Sequence, residues 1–354
     1  MRPRFGVLLA SLLPFWVSAD ARWVCLTDPG RFEREAPEGP TWVSPAVRSP
    51  LPFQELVVSW NLREPSDLEV EVRAEGAGAY GRWWHLGRWS ASGEARLRTS
   101  VPGQRDATGR VETDTLVLES PPESLRIRLR FADPSRTPAV LKRLDLSFWS
   151  PDPRAEASPK PILRPGRAAP PTILDVPRRS QADHPEGVTR WCSPTSLSML
   201  LAHWAARSGR PEWDRQVPVV AAGVHDPAWP GTGNWAFNAA YAGSVPGLQA
   251  AAVRLGGMPD LEALIDAGIP VATSVSYALL KGGASPAQGD GHLVVVCGVT
   301  ATTVTVNDPG VRLARVRQDF PLTAFRSAWE ASHRTAYVVW PEGRELPASP
   351  LGTW

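Results

Sequence analysis

Trp191-Cys192-Ser193-Pro194-Thr195, running on into Ser196-Leu197-Ser198-Met199-Leu200-Leu201-Ala202-His203-Trp204, is the stretch whose reading decides the fold. Leu197, Leu200, Leu201 and Trp204 fall at i, i+3, i+4 and i+7, one apolar stripe of a helix. Pro194 suits a first helical turn, where its missing N–H leaves no bond unmade. Cys192 is therefore expected at or just before the N-terminus of a buried helix. Unpaired backbone N–H groups and the helix dipole favour a thiolate there, and the thiolate is the nucleophilic form. The alternative is a small buried Cys that packs like alanine.

A second stretch bears on that choice. Gly291-His292-Leu293-Val294-Val295-Val296-Cys297-Gly298 reads as a buried strand, and Thr303-Val304-Thr305-Val306-Asn307 alternates like another. Thr300-Ala301-Thr302 supplies a turn between them. With the hairpin centred on Thr300, His292 and Asp308 become cross-strand neighbours about 5 Å apart at Cβ. A slip of one residue would put them on opposite faces. A Cys at a helix start with a His–carboxylate pair elsewhere is the constellation that thiol nucleophile chemistry needs.

Ser180-Gln181, Trp191 to Ser196, Gly291 to Val296 and Val306-Asn307-Asp308-Pro309 together resemble the family-thirty-nine cysteine peptidases, the bacteriocin-leader-processing type with a papain-like fold. The resemblance covers about residues 172–341. It implies Cys192 as nucleophile, His292 as general base and acid, Asp308 as the group orienting His292, and Gln181 as an oxyanion-hole donor. Ser193 departs from the pattern, which usually has Gly there. In the same family a Gly-Asn-Trp stretch lies near the cleft. Asn234 and Trp235 are accordingly expected to bind substrate, with a buried structural Trp as the alternative. This chemistry calls for no cofactor.

The rest of the chain frames that domain. Its 354 residues suffice for two domains, and a net charge of +2 without a basic run gives no reason to expect a nucleic-acid partner. Residues 1–21 read as a secretory signal: Arg2 and Arg4, an apolar core from Val7 to Val17, and small residues at Val17-Ser18-Ala19 or Ala19-Asp20-Ala21. The alternative is a retained anchor, but Pro14 breaks the short run. After cleavage no apolar stretch is left to span a membrane. The three cysteines, Cys25, Cys192 and Cys297, are an odd set. Cys25 and Cys297 lie in different segments, and they read better as a loose terminal residue and a buried strand residue than as a bridge. No Cys/His spacing points to zinc.

Residues 22–49 read as an N-terminal extension. From 50 to 150 the texture is alternating: Phe53–Trp60, Leu68–Arg73, Val111–Leu118, Leu125–Phe131 and Leu141–Phe148 each read as a strand buried on one face. The expectation is an all-β sandwich resembling galactose-binding jelly-roll modules. Its Trp83-Trp84-His85 and Trp89 are either a platform for cell-surface carbohydrate or core filler. Residues 151–171 read as a Pro-rich linker holding this domain apart from the next. Residues 172–341 form the papain-like domain, with 342–354 as a tail. Within it Asp260–Gly268 reads as a helix and Lys281–Gly291 as a small-residue loop over the cleft.

The expected fold class is thus α+β, a papain-like domain after an all-β sandwich. The expected function is a secreted cysteine peptidase acting on a peptide or protein substrate. Two alternatives stay open: a cell-wall peptide amidase or acyl transferase with the same triad, and a non-catalytic surface-binding protein.

Overall fold

The structure, a computed structural model, describes residues 21–76, 81–91, 98–151 and 173–354. The expected signal segment, except Ala21, and the Pro-rich linker, except Pro151, lie outside those residues.

The N-terminal half builds two six-stranded antiparallel sheets. Its strands are β1 (Ala21–Cys25), β2 (Glu33–Arg34), β3 (Thr41–Val43), β4 (Val47–Arg48), β5 (Glu55–Leu62), β6 (Leu68–Glu75), β7 (Trp84–Trp89), β8 (Arg105–Asp106), β9 (Gly109–Glu112), β10 (Thr115–Leu118), β11 (Ser124–Phe131) and β12 (Leu141–Trp149). One sheet runs β1-β12-β5-β10-β9-β8. The other runs β2-β3-β11-β6-β7, with β4 also on β11. Period-two alternation sends Leu56, Val58 and Trp60 of β5 and Leu68, Val70 and Val72 of β6 into one shared core.

Three sequence expectations change here. Residues 22–49 are no extension, because β1 pairs with β12 and β3 and β4 pair with β11. Cys25 accordingly sits in a strand opposite Asp145 rather than loose at a terminus. Val111–Leu118 is not one strand but the hairpin β9–β10, reversed at Thr113, whose φ of 58° lies in the left-handed region. Asp114 follows in the turn, buried. Of the aromatic segment, Trp84 and Trp89 are core, and Trp83 is covered by the guanidinium groups of Arg73 and Arg128. Among the described residues of the segment, Trp83 is the tryptophan left partly exposed.

The second half sets helices against a six-stranded antiparallel sheet. Its elements are α1 (Cys192–Ser208), α2 (Val217–Val224), α3 (Trp235–Gly243), β13 (Leu248–Arg254), α4 (Met258–Asp266), β14 (Val271–Ser276), α5 (Tyr277–Leu280), β15 (Gly291–Val299), β16 (Thr303–Asn307), β17 (Arg317–Pro321), α6 (Leu322–Glu330) and β18 (Thr335–Pro341). The sheet order is β13-β18-β14-β15-β16-β17. The stripe of α1 is buried as its spacing predicts, and Trp204 donates its indole N–H to the Val339 carbonyl of β18 at 2.7 Å. Gly209, at φ 63°, ends the helix in the left-handed conformation that glycine adopts most readily.

The two halves are not held apart. Asn61 of β5 exchanges bonds with the backbone of Ala250 in β13, accepting its N–H and donating to its carbonyl, both at 2.9 Å. Lys142 donates to the carbonyls of Gly243 and Leu248. Arg254 is ion-paired with Glu55. Helix α3 belongs to both cores: Ala236, Phe237 and Ala240 join the N-terminal cluster, while Ala239 and Ala242 join the other. Phe237 lies between Trp60 and Trp89, with ring centroids 6.4 and 5.9 Å away. The C-terminal residues are docked as well, since Asp260 accepts from Ser349 at 2.7 Å and from Thr353 at 2.6 Å. Trp354 packs against Trp23.

Candidate active site

Cys192 is the first residue of α1, capped by Trp191, which offers no side-chain bond to the helix. The N–H groups of Ser193, in that turn, and of Leu293 stabilise its ionised form. Cys192 is partly exposed, whereas almost every other residue of the first three turns is buried. It is therefore the point at which the N-terminal part of α1 meets solvent; the other exposed residues of the helix, 206–208, lie at its far end.

His292 enters from the second position of β15 and is nearly buried. Its Nε2 donates to Asp308 Oδ1 at 2.8 Å, which leaves Nδ1 free of that bond, and the ring stands near enough to Cys192 to favour its thiolate. The bond does not arise as the sequence predicts. β15 and β16 pair Val299 with Val304 and Gly298 with Thr305, then shift by one residue at Cys297 to pair Val296 with Val306 and Val295 with Asn307. On that register Asp308 stands two residues from His292's own cross-strand position. It lies on the same face and within side-chain reach.

Asp308 is fully buried and heavily satisfied. Besides His292, its Oδ1 accepts the Gly310 N–H at 2.8 Å. Its Oδ2 accepts from the Tyr277 hydroxyl at 3.0 Å and from Lys281 and Gln318 at 3.2 Å each. Tyr277 also covers the His292 ring, with centroids 4.4 Å apart. Gly310 is there for space: a Cβ would lie 2.9 Å from His292 Cε1. Sequence reading missed Tyr277, Lys281, Gly310 and Gln318. None stands in a spacing that marks it, since the fold gathers them from α5, the loop after it, the turn after β16, and β17.

These contacts separate the three thiols. Burial pushes Cys25 and Cys297 up to about 12. Burial also opposes ionisation of Cys192, but its bond to His292, the charge of that ring and the two backbone N–H groups outweigh it and hold the thiol below its ordinary value. Burial works against the His292 cation too. Its bonds to Asp308 and Cys192 and their charges still raise it to about 9. Asp308 is held below the usual carboxylate range despite burial, by His292 first. These directions favour an imidazolium between a thiolate and a carboxylate.

Gln181 is tied to the same corner. Its N–H donates to the Pro309 carbonyl at 3.0 Å, and the hydroxyl of neighbouring Ser180 donates to Val311 at 2.6 Å. Its side-chain Nε2 donates to the Val188 carbonyl at 2.9 Å, which leaves one further N–H. Ser193 does not project into the space beside the thiol. Its hydroxyl is engaged with Asn238 Oδ1 and the Tyr337 hydroxyl, both at 3.0 Å.

The expected substrate contacts fare differently. Asn234 is fully buried, so it has no surface to offer a substrate. Its Oδ1 caps α3 by accepting the Phe237 N–H, and its amide donates to Asp226 at 3.1 Å. Such a cap contributes about 1 kcal/mol to a helix. Trp235 is half-buried at the first turn of α3, near the Arg254 guanidinium. The loop 281–290 is exposed along its length and pinned at its end by Asp290, which accepts from Ser276, Ala278 and Ala287. No helix among the described residues is long and apolar enough to cross a membrane.

Residues 173–337 match the family model described as the Peptidase_C39 like family, and residues 16–145 match that of the Peptidase C39 N-terminal domain. No curated protein matches the chain. Among solved structures, one titled as a C39-like peptidase from Bacillus anthracis is 18% identical, with a TM-score of 0.34 over 50% of this chain and 100% of that one. A double glycine motif protease from an AMS/PCAT transporter, in complex with the leader peptide, is 17% identical. Its TM-score is 0.31 over 48% of this chain and 97% of that one.

Proposed function

We propose that this chain, a cysteine-type peptidase whose residues 173–337 match the Peptidase_C39 like family, hydrolyses peptide bonds through Cys192, His292 and Asp308, with Gln181 as an oxyanion donor. The observation that carries this reading is the 2.8 Å bond between His292 and Asp308, with Cys192 at the head of α1 near enough to the same ring to be lowered by it. Cys192 at the head of a helix, facing a His and an Asp from an antiparallel sheet, also supports a papain-like reading of the domain.

The cycle starts from the thiolate and imidazolium. The Sγ lone pair forms a bond to the scissile carbonyl carbon, and the C=O π pair moves onto oxygen. That oxyanion takes the Cys192 backbone N–H and the remaining Gln181 N–H. The C–N bond then breaks as His292 Nδ1 gives its proton to the leaving amine, leaving a thioester and a neutral imidazole. Water gives a proton back to Nδ1 while its oxygen attacks the thioester. Expulsion of the thiolate, with transfer of the carboxylic acid's proton to solvent, restores the starting state. Asp308 holds the ring so that Nδ1 faces both partners in turn.

Trapping the thioester tests this. Acid quenching during turnover of a peptide ester is expected to give an adduct mapped by mass spectrometry to Cys192; an adduct on Cys25 or Cys297 contradicts the proposal. The basic start and short apolar run of residues 1–21 support a location outside the cytoplasm in this reading. A secreted form beginning at Met1, instead of between Asp20 and Arg22, would count against that placement.

A further inference from the structure

The N-terminal domain touches the catalytic half at one place that leads to the nucleophile. Asp114, buried in the β9–β10 turn, accepts the backbone N–H of Trp235, the first residue of α3. A carboxylate at that point satisfies an open N–H and complements the positive end of the helix. Three residues further along α3, Asn238 is locked by two bonds from its amide, to Thr232 and Asn234. Its remaining oxygen accepts the hydroxyl of Ser193, the residue after Cys192. Tyr337 of β18 closes the path from the other side. Its hydroxyl is bonded to Ser193, and its ionisation is opposed by burial and by the charges of Asp114 and Cys192 together. The link depends on the Ser that this chain carries beside its nucleophile, because a glycine there has no hydroxyl to hold.

Taking Cys192 as the nucleophile, we infer that Asp114 is a positioning residue for the reaction: it fixes the start of α3, and α3 fixes Ser193 and the first turn of α1 through Asn238. The N–H of Cys192 that receives the oxyanion belongs to that turn. Burial pushes the Asp114 carboxyl up to about 6, against the bonds from Trp235 and Thr115. The N-terminal domain becomes a working part of the site rather than a neighbour of it.

The test uses the full chain and two readouts that need no knowledge of the natural substrate. These are nitrophenolate release from p-nitrophenyl acetate, and the rate of Cys192 alkylation by iodoacetamide, mapped by mass spectrometry. Asp114→Ala is expected to slow acylation about tenfold or more, as a small displacement of a reacting group does. Asp114→Asn keeps an acceptor for the Trp235 N–H and is expected to stay close to the parent. Lys142→Ala removes an interface bond at the far end of α3, so it should lower the melting temperature and leave acylation unchanged. A folded Asp114→Ala protein with the parent's rate, or a Lys142→Ala protein slowed as much, overturns the inference. If Asp114→Ala does not fold, Ser193→Ala cuts the same path with the loss of one hydroxyl and must slow acylation; an unchanged rate there overturns it equally. Cys192→Ala run alongside separates the two claims, since residual acylation in that variant contradicts the nucleophile assignment itself.

Discussion

His292 Nε2 stands 2.8 Å from Asp308 Oδ1 although the hairpin carrying them never pairs the two residues. The one-residue shift at Cys297 is what makes the bond possible. In the register that holds next to the turn, where Val299 faces Val304, Asp308 would fall on the opposite face of the sheet. The bulge moves it back to the face of His292.

Two substitutions around this bond should move the alkaline limb of kcat/KM in opposite directions. The contacts with Asp308 help to raise His292 to about 9, so Asp308→Ala is expected to bring the limb to lower pH. Its loss of kcat should be smaller than that of His292→Ala, which removes acid–base help worth on the order of a hundred- to ten-thousand-fold. Lys281 offsets part of the Asp308 charge from 3.2 Å, so Lys281→Met should move the limb to higher pH, and only slightly because Lys281 is partly exposed. A pH profile of each variant checks both signs. Shifts in the same direction would contradict the arrangement.

Gly310 gives a steric test of the same contact. Its backbone needs no positive φ, so alanine meets only a space limit, the His292 ring at 2.9 Å. Gly310→Ala is expected to fold normally, displace the ring, and lower kcat by as much as a hundred-fold. Unchanged kcat with an unchanged pH profile would mean the ring has room that the geometry denies it.

The docked halves make a prediction about fragments. Residues 173–354 expressed alone would present Ala236, Phe237 and Ala240 to water, since all three are buried in the N-terminal core. Exposing that surface favours association and loss of cooperative folding. The fragment is expected to aggregate or unfold without a sharp transition, while the full chain melts in one. A soluble, cooperatively melting fragment would show the interface to be dispensable.

What could be read in the sequence follows from how local each signal is. The stripe of α1, the strands β5, β6, β11 and β12, and the pair β15–β16 are periodic within a few residues, so pattern alone finds them. That Cys192, His292 and Asp308 come together was legible for a related reason: each sits at the end of such an element. The bulge at Cys297 leaves no mark in a run of buried valines. The ring of donors on Asp308 is assembled from separated segments, and nothing in their spacing joins them. Asn234 was misread because a buried cap and a cleft residue have the same sequence appearance at a helix start. The interface was hidden by the Pro-rich stretch, whose composition describes the chain between the halves and not how the halves meet.

The central claim is that one thiol of three carries the chemistry, and peptide hydrolysis by the full-length Cys192→Ala protein tests it most directly. Its circular dichroism and melting curve should match the parent, because Cys192 lies at a partly exposed helix end. Turnover is expected to fall to background, since the other two thiols are raised to about 12 and have no His partner. Full turnover in that variant, with an electrophilic thiol probe then labelling Cys25 or Cys297, would contradict the account.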